Sequence, residues 1–232
     1  MSDWLTPDQA SAVFLSLKVA FWATLCSLPP GIFVAWILAR CEFPGRQILN
    51  GLVHLPLILP PVVTGWLLLM AFGRRGWIGA PLYELTGFTF SFQWTGAALA
   101  AAVMAFPLLV RAIRLSLEAA DPKLEAAAAT LGAGPLRIFL TITLPLAAPG
   151  VLAGAILAFA KALGEFGATI TFVSNIPGQT QTLPSAIYSL LQVPGSDAAA
   201  TRLVLISIAL AMAALLLSEV LARRMQKRIS GA

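Results

Sequence analysis

Apolar residues fall along this chain in long blocks separated by short polar breaks, and block length rather than periodicity is the first signal. Five blocks stand out, at 12–39, 48–72, 94–115, 146–173 and 203–222. A helix needs roughly 20 apolar residues to cross a hydrocarbon core of about 30 Å, and each block meets that length. The first is long enough to tilt or to extend beyond the bilayer. A sixth stretch, 77–92, is too short to span and is rich in Gly, Pro and Tyr. It is expected to be re-entrant or interfacial. The pattern predicts an all-α integral membrane protein with about five transmembrane helices, built as a single transmembrane domain over residues 1–232.

Composition agrees. Hydrophobic residues make up 59% of the chain and charged residues 11%, against about 25% charged in a typical soluble domain. Little length remains for a soluble catalytic domain. The N-terminus is acidic and has no basic n-region, which argues against a cleaved secretory signal. Cys26 and Cys41 form neither a disulfide framework nor a metal-ligand cluster and read as unpaired thiols. No metal site is expected.

The net charge of +5 gains meaning from its placement. With five spans, Arg40, Arg46, Arg111, Arg114, Lys123, Arg137, Arg223, Arg224, Lys227 and Arg228 share one face, while Arg74 and Arg75 lie on the other, with Arg202 at its edge. Excess basic residues mark the cytoplasmic side. The N-terminus is therefore expected outside and the C-terminus inside. Charge at helix ends points to a lipid bilayer as partner and not to nucleic acid.

The loop at 121–145 has its own local code. Asp121 is a good N-cap and Pro122 suits the first helical position. Residues 124–131 are strong helix formers with four consecutive alanines, and Gly132 and Gly134 can end the helix with a left-handed turn. Pro135 is expected to start a second short helix, 136–144, that stops before Pro145. This helix–turn–helix has an alanine-paved surface that another protein's groove can approach closely.

This segment resembles the cytoplasmic motif of the binding-protein-dependent ABC importer permeases, which reads Glu-Ala-Ala, three residues, Gly, nine residues, Ile-x-Leu-Pro. Here Gly132 is followed after nine residues by Ile142-Thr143-Leu144-Pro145. Counting back, Ala126, Ala127 and Ala128 occupy the first three positions, and the carboxylate lies one residue early, at Glu125. The resemblance implies docking on a cytoplasmic ATP-binding subunit. Whether Glu125 makes the family's ion pair to that subunit is open. The chain has no Gly-x-x-x-x-Gly-Lys-[Ser/Thr] of its own. No cofactor is expected on it, ATP and magnesium belonging to the partner ATPase.

Three other segments extend the likeness. Pro56, Pro60 and Pro61 lie in the run that leads to Thr64 and Gly65, where missing backbone donors favour a kink beside a pathway or simply shape packing. Arg74 and Arg75 follow at the outer face, able to attract an anion or a docking protein, or to be a solvated loop end. In the fourth block, Lys161 and Glu165 stand four residues apart on one helical face and can neutralise each other. Ionisable groups within a membrane are costly and often functional, so a structural pair and a gate are both open. Gly164, Gly167 and Thr169 flank them. The polar stretch 175–188 has the character of an outer docking loop or of a plain connector.

Together these segments resemble the permeases of molybdate importers, with sulfate and tungstate permeases as close relatives. The resemblance implies a homodimeric pore in the bacterial inner membrane, two ATPase copies and a periplasmic or extracellular binding protein. A secondary transporter driven by an ion gradient is the competing class, although five spans without an internal repeat are few for one. A membrane enzyme has little support, since His54, the only histidine, reads as a packed or interfacial residue.

Overall fold

The computed structural model describes residues 4–229, and within the last helix the side chains of Ser218, Glu219 and residues 221–229 lie outside the description. The basic tail used for orientation (Arg223, Arg224, Lys227 and Arg228) is therefore outside the described side chains. The regular elements among the described residues are all helical, in the order α1 (Pro7–Arg40), α2 (Arg46–Ile58), α3 (Pro61–Phe72), α4 (Gly79–Thr86), α5 (Trp94–Ala119), α6 (Pro122–Thr130), α7 (Pro135–Ile138), α8 (Leu144–Leu163), α9 (Gly167–Val173), α10 (Leu183–Leu191) and α11 (Asp197–Ile229). Four helical stretches are long and apolar enough to cross a membrane, or five if the bent pair α2–α3 counts as one span.

α1 begins with a reciprocal cap between Thr6 and Gln9. Its 34 residues reach about 50 Å at 1.5 Å per residue, more than a hydrocarbon core requires. α5 is the central element and packs against both α1 and α8. In its first half the buried face is mostly small, with Ala97, Ala100, Ala101 and Ala105 in the core clusters that hold Ala20 and Ala23 of α1 and Ala158 and Ala162 of α8, while Leu109, Val110, Ile113 and Leu117 fill the second half. A Cβ on Gly150 of α8 would lie 2.3 Å from Ser116 Cβ, and one on Gly154 would lie 3.0 Å from the Leu109 carbonyl oxygen. Small residues let backbones approach where lipid supplies no hydrophobic drive between helices.

The second apolar block is not one straight span. α2 and α3 are bent by 115° at Leu59–Pro60. Pro60 holds Leu59 in the extended region (φ −69°, ψ 143°), and Pro61 then restarts the chain at a first helical position. The fourth block also divides. Its helix ends at Leu163, and residues 164–166 separate it from the short α9. The helix expected to stop before Pro145 instead continues. A π-helical turn over Phe139–Thr143 joins α7 to α8, with the Leu144 amide donating to the Phe139 carbonyl. Pro145 lacks an amide and crowds the carbonyl four residues back, and the wider turn accommodates both effects. The stretch 77–92 contains only the eight residues of α4, closed by Gly87 at φ 70°.

The stretch 175–188 is not wholly a loop. Residues 177–179 are exposed, but Thr180, Thr182, Leu183, Ser185 and Ala186 are buried. The Leu183 amide donates to Ser16 Oγ of α1 at 2.6 Å, and Leu183 and Ala186 pack with Ala12 and Leu203.

Candidate functional site

The sequence candidates separate into two clusters at opposite ends of one helical rod. Residues Pro135–Leu163 form a single 29-residue helical stretch, about 44 Å long at 1.5 Å per residue. It starts in the 121–145 loop and ends at the Lys161–Glu165 pair.

At the loop end, Asp121 caps α6 by accepting from the Lys123 amide at 2.9 Å. Gly132 adopts φ 84°. Its amide donates to the Ala129 carbonyl at 3.0 Å and that of Ala133 to Ala128 at 3.1 Å, the paired bonds that close a helix on a left-handed residue. α6 buries none of its residues. Ala126, Ala127 and Ala129 face solvent, with Ala128 half-buried. Beside them, Leu131 is 88% exposed and Leu136 71%. These two leucines escaped the sequence reading because they flank glycines in a turn, where no periodicity identifies a face. Ile142 and Leu144 are half-buried and Pro145 exposed, all within the continuous helix.

Glu125 points back into its own chain. Its Oε1 accepts from Arg40 Nε at 3.2 Å and from Thr143 Oγ1 at 3.1 Å. A second Arg40 nitrogen lies 3.2 Å from the same oxygen and donates to the Ala120 carbonyl at 3.2 Å. One ion pair thus ties the last residue of α1, the end of α5, the first turn of α6 and the π-helical turn. Arg46 holds α1 from the other side, its guanidinium donating to the Leu38 carbonyl at 3.0 and 2.5 Å. Arg40 and Thr143 were not site candidates from sequence, because Arg40 is 85 positions from Glu125 and looked like an ordinary basic helix end.

At the far end, Lys161 Nζ donates to Glu165 Oε2 at 2.5 Å. The other oxygen accepts from the Ala168 amide at 3.1 Å. Glu165 is 3% exposed, while Lys161 is half-buried. α9 crosses α3 here at close range. A Cβ on Gly65 would lie 2.5 Å from the Ala168 carbonyl oxygen, and one on Gly167 would lie 2.7 Å from Pro61 Cβ. Thr64 and Thr169 are buried, Thr64 with no partner for its hydroxyl among the described residues. Gly164 is exposed at the break and Pro60 exposed at the bend. The candidates from both broken segments therefore meet at one crossing, next to a buried ion pair.

Among the described residues there is no group of His, Cys, Asp and Glu able to hold a metal ion. The two cysteines are unpaired. His54 donates from Nδ1 to the Asn50 carbonyl at 2.8 Å, a packed role.

The described residues thus combine an exposed small-residue loop, a rod leading from it, and a polar break within the membrane-length helices. The family described as binding-protein-dependent transport system inner membrane component matches residues 31–227. The chain belongs to this family. The molybdenum transport system permease protein ModB of Escherichia coli (strain K12) is 63% identical over 224 residues, 97% of this chain and 98% of that one. The protein of the same description from Haemophilus influenzae is 60% identical over 221 residues, 95% and 96% of the two chains. In fold, the chain resembles a bacterial ABC transporter involved in import of the acidic polysaccharide alginate. The TM-score is 0.75 at 18% identity, covering 94% of this chain and 80% of that one. As a member of this family the chain is a multi-pass membrane component of an ABC importer. It is a transport subunit and not an enzyme, with ATP hydrolysis on a separate chain.

Proposed function

We infer that this permease carries molybdate, that two copies of it form the pore, and that each docks one cytoplasmic ATPase through the 121–145 segment. The relatives described as molybdenum transport permeases, at 63% and 60% identity over nearly the whole chain, support the cargo. The basic residues at the loop ends support an outer N-terminus and a cytoplasmic C-terminus. A periplasmic binding protein delivers the anion to the face that carries Arg74, Arg75 and the exposed 177–179 turn. ATP and magnesium reside on the ATPase.

One observation carries the mechanism: the helical rod over Pro135–Leu163 joins the exposed docking segment to the ion pair at the α3–α9 crossing. Displacement of the loop by the closing ATPases travels along that rod. The Arg40–Glu125–Thr143 contact passes the same displacement to α1 and α5. At the far end the rod moves Lys161 and Glu165 against Pro61, Thr64, Gly167 and Thr169, which opens or closes the path. Gly132 lets the two halves of the docking segment turn against each other, and Ala126, Ala127, Ala128, Ile142, Leu144 and Pro145 shape its surface.

The test is uptake into liposomes holding the permease and its ATPase, with binding protein outside and ATP inside. Molybdate uptake is expected to require ATP, to survive collapse of proton and sodium gradients, and to be reduced by tungstate and sulfate in proportion to their capture by the binding protein. Uptake without ATP, driven by either gradient, would establish a secondary transporter instead.

A further inference from the structure

A third polar site lies between α2 and α5. Asn50 and His54 are one turn apart on α2, and Arg111, Arg114, Leu115 and Glu118 form one stripe on α5. Between the two faces lies an open pocket of about 260 Å³ lined by these six residues, of which Arg111, Leu115 and Glu118 are exposed. That is below the roughly 300–1,000 Å³ of sites for drug-sized ligands, which favours a small ion.

The lining is arranged for an anion. Arg114 is held from both helices: its Nε donates to Glu118 Oε1 at 2.7 Å and one terminal nitrogen donates to Asn50 Oδ1 at 3.0 Å. These bonds fix the plane of the guanidinium and leave its other terminal nitrogen unengaged among the described contacts. Arg111, three residues earlier on the same face, has no carboxylate within ion-pair distance among the described residues. The ring of His54 is oriented by its Nδ1–H bond to the Asn50 carbonyl at 2.8 Å, so it walls the pocket and its Nε2 offers no proton to an anion. Glu118 is the one opposing charge, and Arg114 already neutralises it. The pocket retains an uncompensated positive charge at Arg111. Planar guanidinium groups match the edges of tetrahedral oxyanions with paired hydrogen bonds.

We propose that the α2–α5 pocket, through Arg111 and Arg114 with Asn50 beside them, binds a tetrahedral oxyanion at the cytoplasmic end of the permease. The cytoplasmic placement rests on the orientation proposed above. Two sources present this chemistry there: the transported oxyanion on its way out, and the phosphate of an anionic inner-leaflet lipid, for which basic pockets between cytoplasmic helix ends are suited. The shared requirement is the pair of arginines.

The test uses the complete permease–ATPase complex in nanodiscs without binding protein. One arm measures equilibrium binding of radiolabelled molybdate in phosphatidylcholine discs. The other measures phosphatidylglycerol retained through detergent extraction, by mass spectrometry. Arg111→Gln and Arg114→Lys are each expected to lower binding at least tenfold in one arm, while Arg202→Gln, the same loss of charge as Arg111→Gln but outside both the pocket and the docking segment, leaves it unchanged. Loss in the molybdate arm assigns the site to cargo, and loss in the lipid arm assigns it to a headgroup. Wild-type binding in both arms by the Arg111→Gln/Arg114→Lys double variant overturns the proposal, as does an equal loss in Arg202→Gln. So does a wild-type complex that binds neither ligand. Both arms read binding, so a failed uptake assay sinks the proposed function without deciding this site.

Discussion

Arg40→Glu is expected to lower ATP-driven uptake at least tenfold while the permease still inserts and still recruits its ATPase. The substitution places two carboxylates where Arg40 and Glu125 now meet, with side chains 15% and 21% exposed. Losing one partner of a buried pair costs about 3–5 kcal/mol, whereas an exposed pair is worth about 0–1 kcal/mol. This partly buried pair lies between, at about 1–3 kcal/mol. A loss of about 1.4 kcal/mol in the coupled conformation is a tenfold change. The Ala120 carbonyl and Thr143 hydroxyl lose their shared partner geometry at the same time. The reversed pair, Arg40→Glu with Glu125→Arg, is expected to recover part of the uptake, because the charge attraction returns while the bonds to Ala120 and Thr143 do not. The reading to compare is ATP hydrolysed per molybdate transported, which rises in Arg40→Glu. Wild-type uptake and wild-type stoichiometry in that variant remove the pair from the coupling path.

Lys161→Met is expected to destabilise the protein by about 3–5 kcal/mol, the cost of stranding a buried charge. Glu165 would keep only the Ala168 amide as partner. Thermal unfolding in detergent measures the loss, and Lys161→Met/Glu165→Gln is expected to restore most of it, since the glutamine is neutral and can still accept from that amide. The double variant also separates the two roles left open for this pair. Restored stability with wild-type uptake makes the pair structural. Restored stability with uptake still depressed makes it part of the gate. A single Lys161→Met variant as stable as wild type contradicts the burial and the pairing together.

Much of the fold was legible because membrane-length helices are announced by composition alone. Asp121, Pro122 and Gly132 announced α6, since capping and left-handed turns depend on nearest neighbours. The Lys161–Glu165 pair was also readable, through the four-residue spacing. What stayed hidden depends on distant contacts or on competition between rules. Pro60 and Pro61 indicated a kink, but its 115° angle follows from how α3 seats on α9 through Gly65 and Gly167. Pro145 read as a stop, yet the π-helical turn absorbs it. The sequence leaves the partner of Glu125 open, and only the approach of Arg40 shows where its carboxylate is engaged. The stretch 175–188 has the polar, turn-rich composition of a docking loop or a connector, and composition does not tell which of its threonines and serines are buried. Buried, they hydrogen-bond within the turn and to neighbouring backbone.

The central claim is that the alanine surface of α6 docks on the ATPase. Ala129 faces solvent on that surface, so Ala129→Cys, with Cys26 and Cys41 replaced by serine, carries one reactive thiol to it. Disulfide cross-linking to single cysteines along the ATPase groove is the direct measurement. The prediction is a specific cross-link whose yield changes on adding ATP. An assembled, hydrolysing complex in which this thiol reaches no groove position, with or without nucleotide, would contradict it.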